Sequence, residues 1–232
     1  MLRASHSFFL KRKQMIKAII FDVDGLLIDS EPLWREAEQS VFADVGVQLT
    51  DEMCALTMGL RSDEVVDYWY QRNRWASPEP ATVEQFLLEK VKSLVLEKGS
   101  ALPGVDHILD FFQARNYAMG LASSSPVMLI EAVIEKLRIA SYFSASASAE
   151  NEVRGKPDPA VYLTAAKNLG IAPEHCLAFE DSGNGLRSAR AAGMKTVAIP
   201  ENLVALDAVF KMADLRLDSL AEFSEQHLEQ LI

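Results

Sequence analysis

The chain has 232 residues, enough for one large domain or for a main body with a smaller insert. Hydrophobic residues make up 49% of it and charged residues 24%, a balance that excludes intrinsic disorder and fibrous proteins. Its 33 acidic residues outnumber its 23 basic ones, so the net charge of −10 disfavours binding to nucleic acids and to anionic membranes. An anionic substrate would have to be bound by a local group of side chains, since the overall charge repels it. We expect the protein to be a monomer.

The cysteines and the N-terminus bear on the location of the protein. Only Cys54 and Cys176 occur, too few for a disulfide framework, which favours a reducing, cytoplasmic compartment. No apolar run approaches the roughly 18 residues of a membrane helix. Residues 1–14 contain an apolar patch too short for a secretion signal. We expect them to form a disordered extension, either a frayed tail or an over-extended start.

The first strand is predicted at residues 16–21, a short apolar run that ends at the acidic sequence DVDG. Apolar residues then recur at spacings of three and four, which is typical of helices. These helices are predicted at residues 33–45, 62–74 and 82–97. We therefore expect residues 31–99 to form an all-helical block, bounded by hinges at residues 29–32 and 99–104.

From residue 102 onward, helical segments alternate with short strands, the pattern of βαβ units and of a parallel sheet covered on both faces. The strands are predicted at residues 117–122, 142–145, 176–179, 196–199 and 215–217. The sequence therefore predicts an α/β fold with a core domain of residues 15–30 and 100–232. A helical domain of residues 31–99 is inserted after the first strand.

Polar side chains directly follow several predicted strands. Asp22 and Asp24 come after the first, Ser123 after the second, and Glu180 and Asp181 after the fourth. Because ligands of open α/β sheets bind at the carboxyl ends of the strands, we expect these side chains to share one site. Two neighbouring carboxylates can act as nucleophile and general acid in phosphate hydrolysis.

Attack by a carboxylate on a phosphate requires a cation, because each pair of unit charges at 4 Å costs roughly 4 kcal/mol at an effective dielectric of 20. Hard oxygen ligands for Mg²⁺ are offered by Asp22, the backbone carbonyl of Asp24, Glu180 and Asp181. Lys156 is the candidate for a fixed positive charge. Taken singly, such residues are common in turns and helix caps; their positions after successive strands favour a shared site.

Competing motifs can be excluded by counting residues. An EF-hand starting at Asp22 would need glycine and glutamate where Leu27 and Leu33 stand. A phosphate-binding P-loop whose lysine is Lys156 would need glycine in place of Glu150. Residues 183–188 narrowly miss the dinucleotide fingerprint, and the two acids before them would repel a pyrophosphate. The four histidines lack the spacing of zinc ligands.

Four motifs together resemble those of the haloacid dehalogenase superfamily of aspartate-nucleophile phosphatases. They are DVDGLLIDSEP at residues 22–32, LAS at 121–123, GKP at 155–157 and FEDSGNG at 179–185. The motifs stand in the expected order, and the likeness spans residues 15–220. It implies a Rossmann-like core with a parallel sheet and a small helical cap that opens and closes over the site.

The resemblance also implies a role for each site residue. Asp22 is then the nucleophile and Asp24 the general acid and base. Phosphate is held by Ser123, Ser124 and Lys156. The Mg²⁺ ligands are Asp22, Asp24 and Asp181, with Glu180 assisting directly or through water.

Within the family the sequence looks most like bacterial sugar-phosphate phosphatases acting on 2-deoxyglucose 6-phosphate and hexitol phosphates, in the segments DSEPLW at residues 29–34, GLRS at 59–62 and DYWY at 67–70. This likeness implies Mg²⁺-dependent hydrolysis of a small phosphate monoester. Trp34, Arg61 and Trp69 are the candidates for specificity on the cap side, although the two tryptophans lie on apolar helix faces where core packing is an equal alternative.

Three other functions have to be weighed against hydrolysis. The related β-phosphoglucomutases carry a histidine where Trp34 stands and a cap arginine one residue away from Arg61, which disfavours a phosphomutase. A non-catalytic sensor of metal and phosphometabolites is disfavoured by the intact acids Asp22 and Asp24. Dehalogenation is disfavoured because it does not use the metal site that the acids provide.

Overall fold

The computed structural model describes residues 15–200 and 208–232, so the extension predicted at residues 1–14 lies outside the described residues. The helices and strands follow one another in the order β1 (Ala18–Phe21), α1 (Glu31–Asp44), α2 (Asp51–Cys54), α3 (Ser62–Asn73), α4 (Pro80–Lys98), α5 (Val105–Gln113), β2 (Ala118–Ser123), α6 (Val127–Leu137), β3 (Ala145–Ser148), α7 (Ala160–Leu169), β4 (Cys176–Glu180), α8 (Gly183–Ala191), β5 (Lys195–Ala198), β6 (Leu215–Arg216) and α9 (Glu225–Leu231). Short 3₁₀ turns lie between several of these elements.

The six strands form one parallel sheet in the order β3-β2-β1-β4-β5-β6. This is the strand order of doubly wound Rossmann folds, so the predicted α/β architecture is confirmed. Phe21, the last residue of β1, is in register with Leu121 of β2 and Phe179 of β4. The carboxyl ends of the three central strands therefore meet at one place, where the strand order reverses.

The two faces of the sheet are buried by side chains of different size. Phe21 stacks on Phe179 with ring centroids 5.1 Å apart, within an aromatic cluster on one face. Ala18 and Ile20 point to the other face and pack beneath α7. Because both faces are covered, β1 reads as a continuous apolar run rather than an alternating one.

The segment from Glu31 to Lys98 contains only helices, α1 to α4, as predicted for this part of the chain. Helix α4 packs on α1 and α3 and also on α6, beside the sheet. Where the chain leaves and re-enters the sheet region it forms a short antiparallel pair: Asp29 N donates to the carbonyl of Ser100 at 3.0 Å, and Leu102 N to that of Leu27 at 3.2 Å. The division into a core and a cap domain stays a prediction.

The strand expected at residues 142–145 is wrong, because β3 begins only at Ala145. Tyr142 ends a 3₁₀ turn instead, and its hydroxyl donates to Asp110 Oδ1 at 2.7 Å. The strand itself has the sequence ASAS, whose small side chains pack beneath α7 and carry no β-branched signal. The other strands lie within two residues of their predicted ends.

Cys54 and Cys176 are both free and buried, in agreement with the absence of a predicted disulfide framework. Among the helices of the described residues, none has the length and apolarity that crossing a bilayer requires.

Candidate active site

A tight turn after β1 brings the first motif against the fourth. Asp22 N extends the ladder by donating to the carbonyl of Phe179 at 3.1 Å. Gly25 follows with a φ of +70°, a conformation that favours glycine. A Cβ atom at this position would lie 2.3 Å from Oδ2 of Asp181, so a larger residue would displace that carboxylate. The DVDG turn thus places the acidic residues that follow β1 beside those at the end of β4.

Lys156 lies at the centre of this corner and is nearly inaccessible, with its side chain 3% exposed. Its ammonium group lies 2.9 Å from Asp22 Oδ1 and 2.7 Å from Glu180 Oε1, and donates to the carbonyl of Ala122 at 3.0 Å. Burial acts to lower the pKa of Lys156, but the charges of Asp22 and Glu180 outweigh it and leave the pKa raised. The lysine is therefore a fixed cation that joins the ends of β1, β2 and β4.

Glu180 is fully buried, and both its oxygens have partners. Besides Lys156, Oε1 accepts a hydrogen bond of 2.6 Å from the hydroxyl of Tyr162. Oε2 accepts from the hydroxyl and the amide of Ser182 at 3.1 and 3.3 Å. The carboxylate packs directly on Gly185, where a Cβ would come within 1.8 Å of Oε1. These contacts hold Glu180, and through it Lys156, in one position.

Replacing Gly185 with alanine is therefore expected to displace the Glu180 carboxylate and to lower the free energy of unfolding by about 1–3 kcal/mol. Urea denaturation of the purified protein measures this loss. Gly183→Ala is the matched control, because its Cβ would approach only the side chain of Val209, at 3.0 Å or more, and alanine is the better helix former. Equal effects of the two substitutions would contradict the argument.

The acids of this corner carry more negative charge than Lys156 balances. Burial raises the pKa of Asp22 to about 7, assisted by the charge of Glu180 and opposed by that of Lys156. Burial also raises the pKa of Asp181 well above its usual range, and the Oδ1 atom of Asp181 is buried without a hydrogen-bond partner among the described residues. Asp22, Glu180 and Asp181 each place an oxygen within 4.8 Å of the others. The site fits a hard divalent cation.

Asp24 is held by a different set of partners from Asp22. Its Oδ2 accepts hydrogen bonds from the hydroxyls of Ser125, at 2.7 Å, and Ser123, at 3.5 Å. Its Oδ1 accepts a bond of 3.3 Å from the indole nitrogen of Trp34 on α1. Two carboxylates two residues apart therefore have different surroundings, which suits them to different tasks. The sequence analysis missed Ser125, although the run of three serines at residues 123–125, where β2 ends, could have indicated it.

A cavity of about 450 Å³ lies between the carboxyl ends of the strands and the helical segment. Most of the predicted residues line it, namely Asp22, Asp24, Trp34, Ser123, Ser124, Lys156 and Asp181. Glu180 lies behind Lys156 and supports it from the interior. The residues that the sequence placed after successive strands thus surround one space.

Arg61 and Trp69 are placed elsewhere, and neither lines the cavity formed by the described residues. The guanidinium of Arg61 donates to the carbonyls of Glu152 and Ala149, at 3.1 and 3.4 Å, and pairs with Asp63 at 2.6 Å. Trp69 is 3% exposed and packs within the helical segment. The contacts that these two residues make with the described part of the chain do not support a role in specificity, which stays a prediction.

Comparison with known proteins places this site in a family. The model of the haloacid dehalogenase-like hydrolases matches residues 19–199. Hexitol phosphatase B of Escherichia coli K12 is 41% identical over 217 residues, which cover 93% of this chain and 97% of that protein. Fructose-1-phosphate phosphatase YqaB of the same strain is 31% identical over 181 residues, which cover 78% of this chain and 95% of that protein.

A similar fold is found among solved structures. CbbY from Rhodobacter sphaeroides, in complex with phosphate, superimposes with a TM-score of 0.83 at 27% identity, covering 93% of this chain and all of that chain. The family match extends from β1 to the end of β5 and so includes all four motifs. The chain therefore belongs to the haloacid dehalogenase-like hydrolase family.

Proposed function

We propose that this enzyme hydrolyses the phosphate esters of small sugars or sugar alcohols, with Mg²⁺ as cofactor and an aspartyl-phosphate on Asp22 as intermediate. The observation that carries the proposal is the convergence of Asp22, Asp181 and Lys156 at one corner of the cavity. The substrate class is supported by the relatives, a hexitol phosphatase and a fructose-1-phosphate phosphatase. We also propose that residues 31–99 act as a cap domain and that the enzyme is cytoplasmic.

In the proposed mechanism Asp22 attacks phosphorus while the bond from phosphorus to the sugar oxygen breaks. Asp24 gives its proton to the leaving oxygen. Asp24 then takes a proton from a water molecule that attacks the aspartyl-phosphate, which releases inorganic phosphate and restores Asp22. Lys156 and the hydroxyls of Ser123 and Ser124 hold the phosphate oxygens throughout. The separate hydrogen-bond partners of Asp22 and Asp24 support this division of roles.

The metal ligands in this proposal are the carboxylates of Asp22 and Asp181 and the backbone carbonyl of Asp24. The unpartnered Oδ1 atom of Asp181 supports its place in the set. When bound, Mg²⁺ supplies positive charge that neutralises the acids and orients the phosphate. Because both oxygens of Glu180 are engaged, we assign Glu180 mainly to the positioning of Lys156, with any contact to the metal made through water.

Removal of divalent metal tests the cofactor and the activity together. Phosphate release from a panel of hexitol and hexose phosphates is expected to fall at least about 100-fold in EDTA and to recover with added Mg²⁺. A protein that only senses phosphometabolites would leave the whole panel unchanged. Isomerisation of a sugar 1-phosphate in the presence of a bisphosphate would instead support a phosphomutase. Full activity in EDTA would overturn the proposed metal site.

A further inference from the structure

The wall of the cavity formed by α1 contains a buried carboxylate that the proposed mechanism does not use. Glu38 is 6% exposed and lines the cavity. Its Oε2 atom is buried and has no hydrogen-bond partner among the described residues. An unpaired polar atom in such a place is costly, because water has been removed from it without replacement. The folded chain therefore maintains an acceptor that something outside the chain can satisfy.

Glu38 lies on the face of α1 that looks onto the cavity. Trp34, Arg35 and Glu38 all line the cavity, at the spacings of three and four residues that place side chains on one helix face. The indole of Trp34 reaches Asp24, the proposed proton donor to the leaving group. Glu38 stands one helical turn further along, about 6 Å at the rise of an α-helix. Glu38 therefore lines the same cavity as the proposed proton donor, one turn of α1 beyond the tryptophan that contacts that donor.

The surroundings of Glu38 suit a neutral ligand better than an anionic one. Burial raises the pKa of Glu38 to about 7, while a hydrogen bond between the Cys54 thiol and the carboxylate, together with the charge of Arg35, partly favours the charged form. Arg35 is itself partly exposed and pairs with Asp51 at 3.4 Å. A second phosphate or a carboxylate of the substrate would meet like charge at this wall, whereas a hydroxyl can donate to the free oxygen.

We propose that Glu38 is a specificity-determining residue that accepts hydrogen bonds from hydroxyl groups of the substrate's leaving group. It would select neutral polyhydroxyl monophosphates over bisphosphates and phosphorylated sugar acids. This inference rests on the proposed function, because it requires a phosphate monoester in the cavity.

The first test replaces Glu38 with methionine, which keeps the length of the side chain and removes the acceptor. The kcat/KM for sorbitol 6-phosphate is expected to fall about 10- to 100-fold, whereas that for p-nitrophenyl phosphate changes by less than about threefold, because its leaving group has no hydroxyl. The midpoint of thermal unfolding is expected to stay or to rise, since a costly buried carboxylate is lost. A purely structural role would instead lower the midpoint and both activities together.

The second test compares two substrates that differ at one end of the sugar chain. Sorbitol 6-phosphate carries a hydroxymethyl group where 6-phosphogluconate carries a carboxylate. At pH 8, where Glu38 is charged, wild-type enzyme is expected to prefer the former, and Glu38→Gln to reduce that preference at least about 10-fold by removing the repulsive charge. Glu36→Gln is the matched control, because Glu36 lies on the same helix, is half exposed and pairs with Lys98 away from the cavity. Its preference should equal that of wild type.

The possible failures can be told apart. If wild-type enzyme cleaves p-nitrophenyl phosphate but none of the sugar phosphates, the proposed substrate class and the role of Glu38 are both overturned. If it cleaves sugar phosphates while the Glu38 variants keep the wild-type ratios between substrates, only the role of Glu38 is overturned.

Discussion

Replacing Lys156 with methionine is expected to lower the free energy of unfolding of the metal-free protein by about 3–5 kcal/mol, because it leaves buried carboxylates without their counter-charge. Phosphate release is expected to fall at least about 100-fold as the fixed cation of the site is lost. Urea denaturation in EDTA and a phosphate-release assay measure the two effects. Lys98→Met serves as control, because its ion pair with Glu36 is exposed and is expected to contribute little to stability.

The stability loss caused by Lys156→Met should also depend on pH. Folding raises the pKa of Asp22 from 3.8 to about 7, so between these values the folded chain binds more protons than the unfolded one, and stability falls as pH rises. Lys156 limits this rise in pKa. The difference between variant and wild type is therefore expected to widen as the pH rises from about 6 through about 8, where Asp22 of wild type loses its proton and Asp22 of the variant still holds it. A difference that narrows with rising pH would contradict the proposed charge balance.

Replacing Asp22 with asparagine is expected to lower activity strongly without lowering stability. Phosphate release should fall about 10,000-fold or more, because the amide cannot form the aspartyl-phosphate. In EDTA the free energy of unfolding should stay the same or rise, since burial makes the charged form of this carboxylate unfavourable. Parallel kinetic assays and urea denaturation of the same preparations measure both quantities.

Asp44→Asn is the matched control for this substitution, because Asp44 is an exposed residue at the end of α1 and does not line the cavity. It should leave both quantities near their wild-type values. Full activity of Asp22→Asn would refute the assigned nucleophile. A loss of activity accompanied by a large loss of stability would indicate a structural role for Asp22 instead.

The positions of Asp22, Ser123 and Asp181 were predictable because each directly follows an apolar run that reads as a buried strand. In a parallel sheet the ends of neighbouring strands must meet, so local patterns placed residues more than 150 positions apart at one site. Lys156 lies in a loop, where no periodicity fixes its position. Its expected place came from a motif, and in the structure its ammonium group lies 2.9 Å from Asp22 Oδ1.

Other parts of the site carry no local signal. Tyr162 and Glu38 lie on helices whose pattern predicts only burial. The roles of their polar atoms depend on groups that approach them only in the folded chain. The strand β3 was misplaced because alanine and serine have little β-propensity, and packing beneath α7 decides its position instead. The backbone carbonyls that Arg61 contacts could not be predicted from the sequence either, since they are 88 and 91 residues away along the chain.

The contacts of Arg61 connect two parts of the molecule that the chain itself keeps far apart. Its guanidinium holds the carbonyls of Ala149 and Glu152, and its Cδ would lie only 2.8 Å from a Cβ at Gly155, the residue next to Lys156. If α3 moved away from the sheet, the anchoring of this loop would loosen in the same motion. The movement of α3 that admits a substrate would then also change the position of the Lys156 ammonium group.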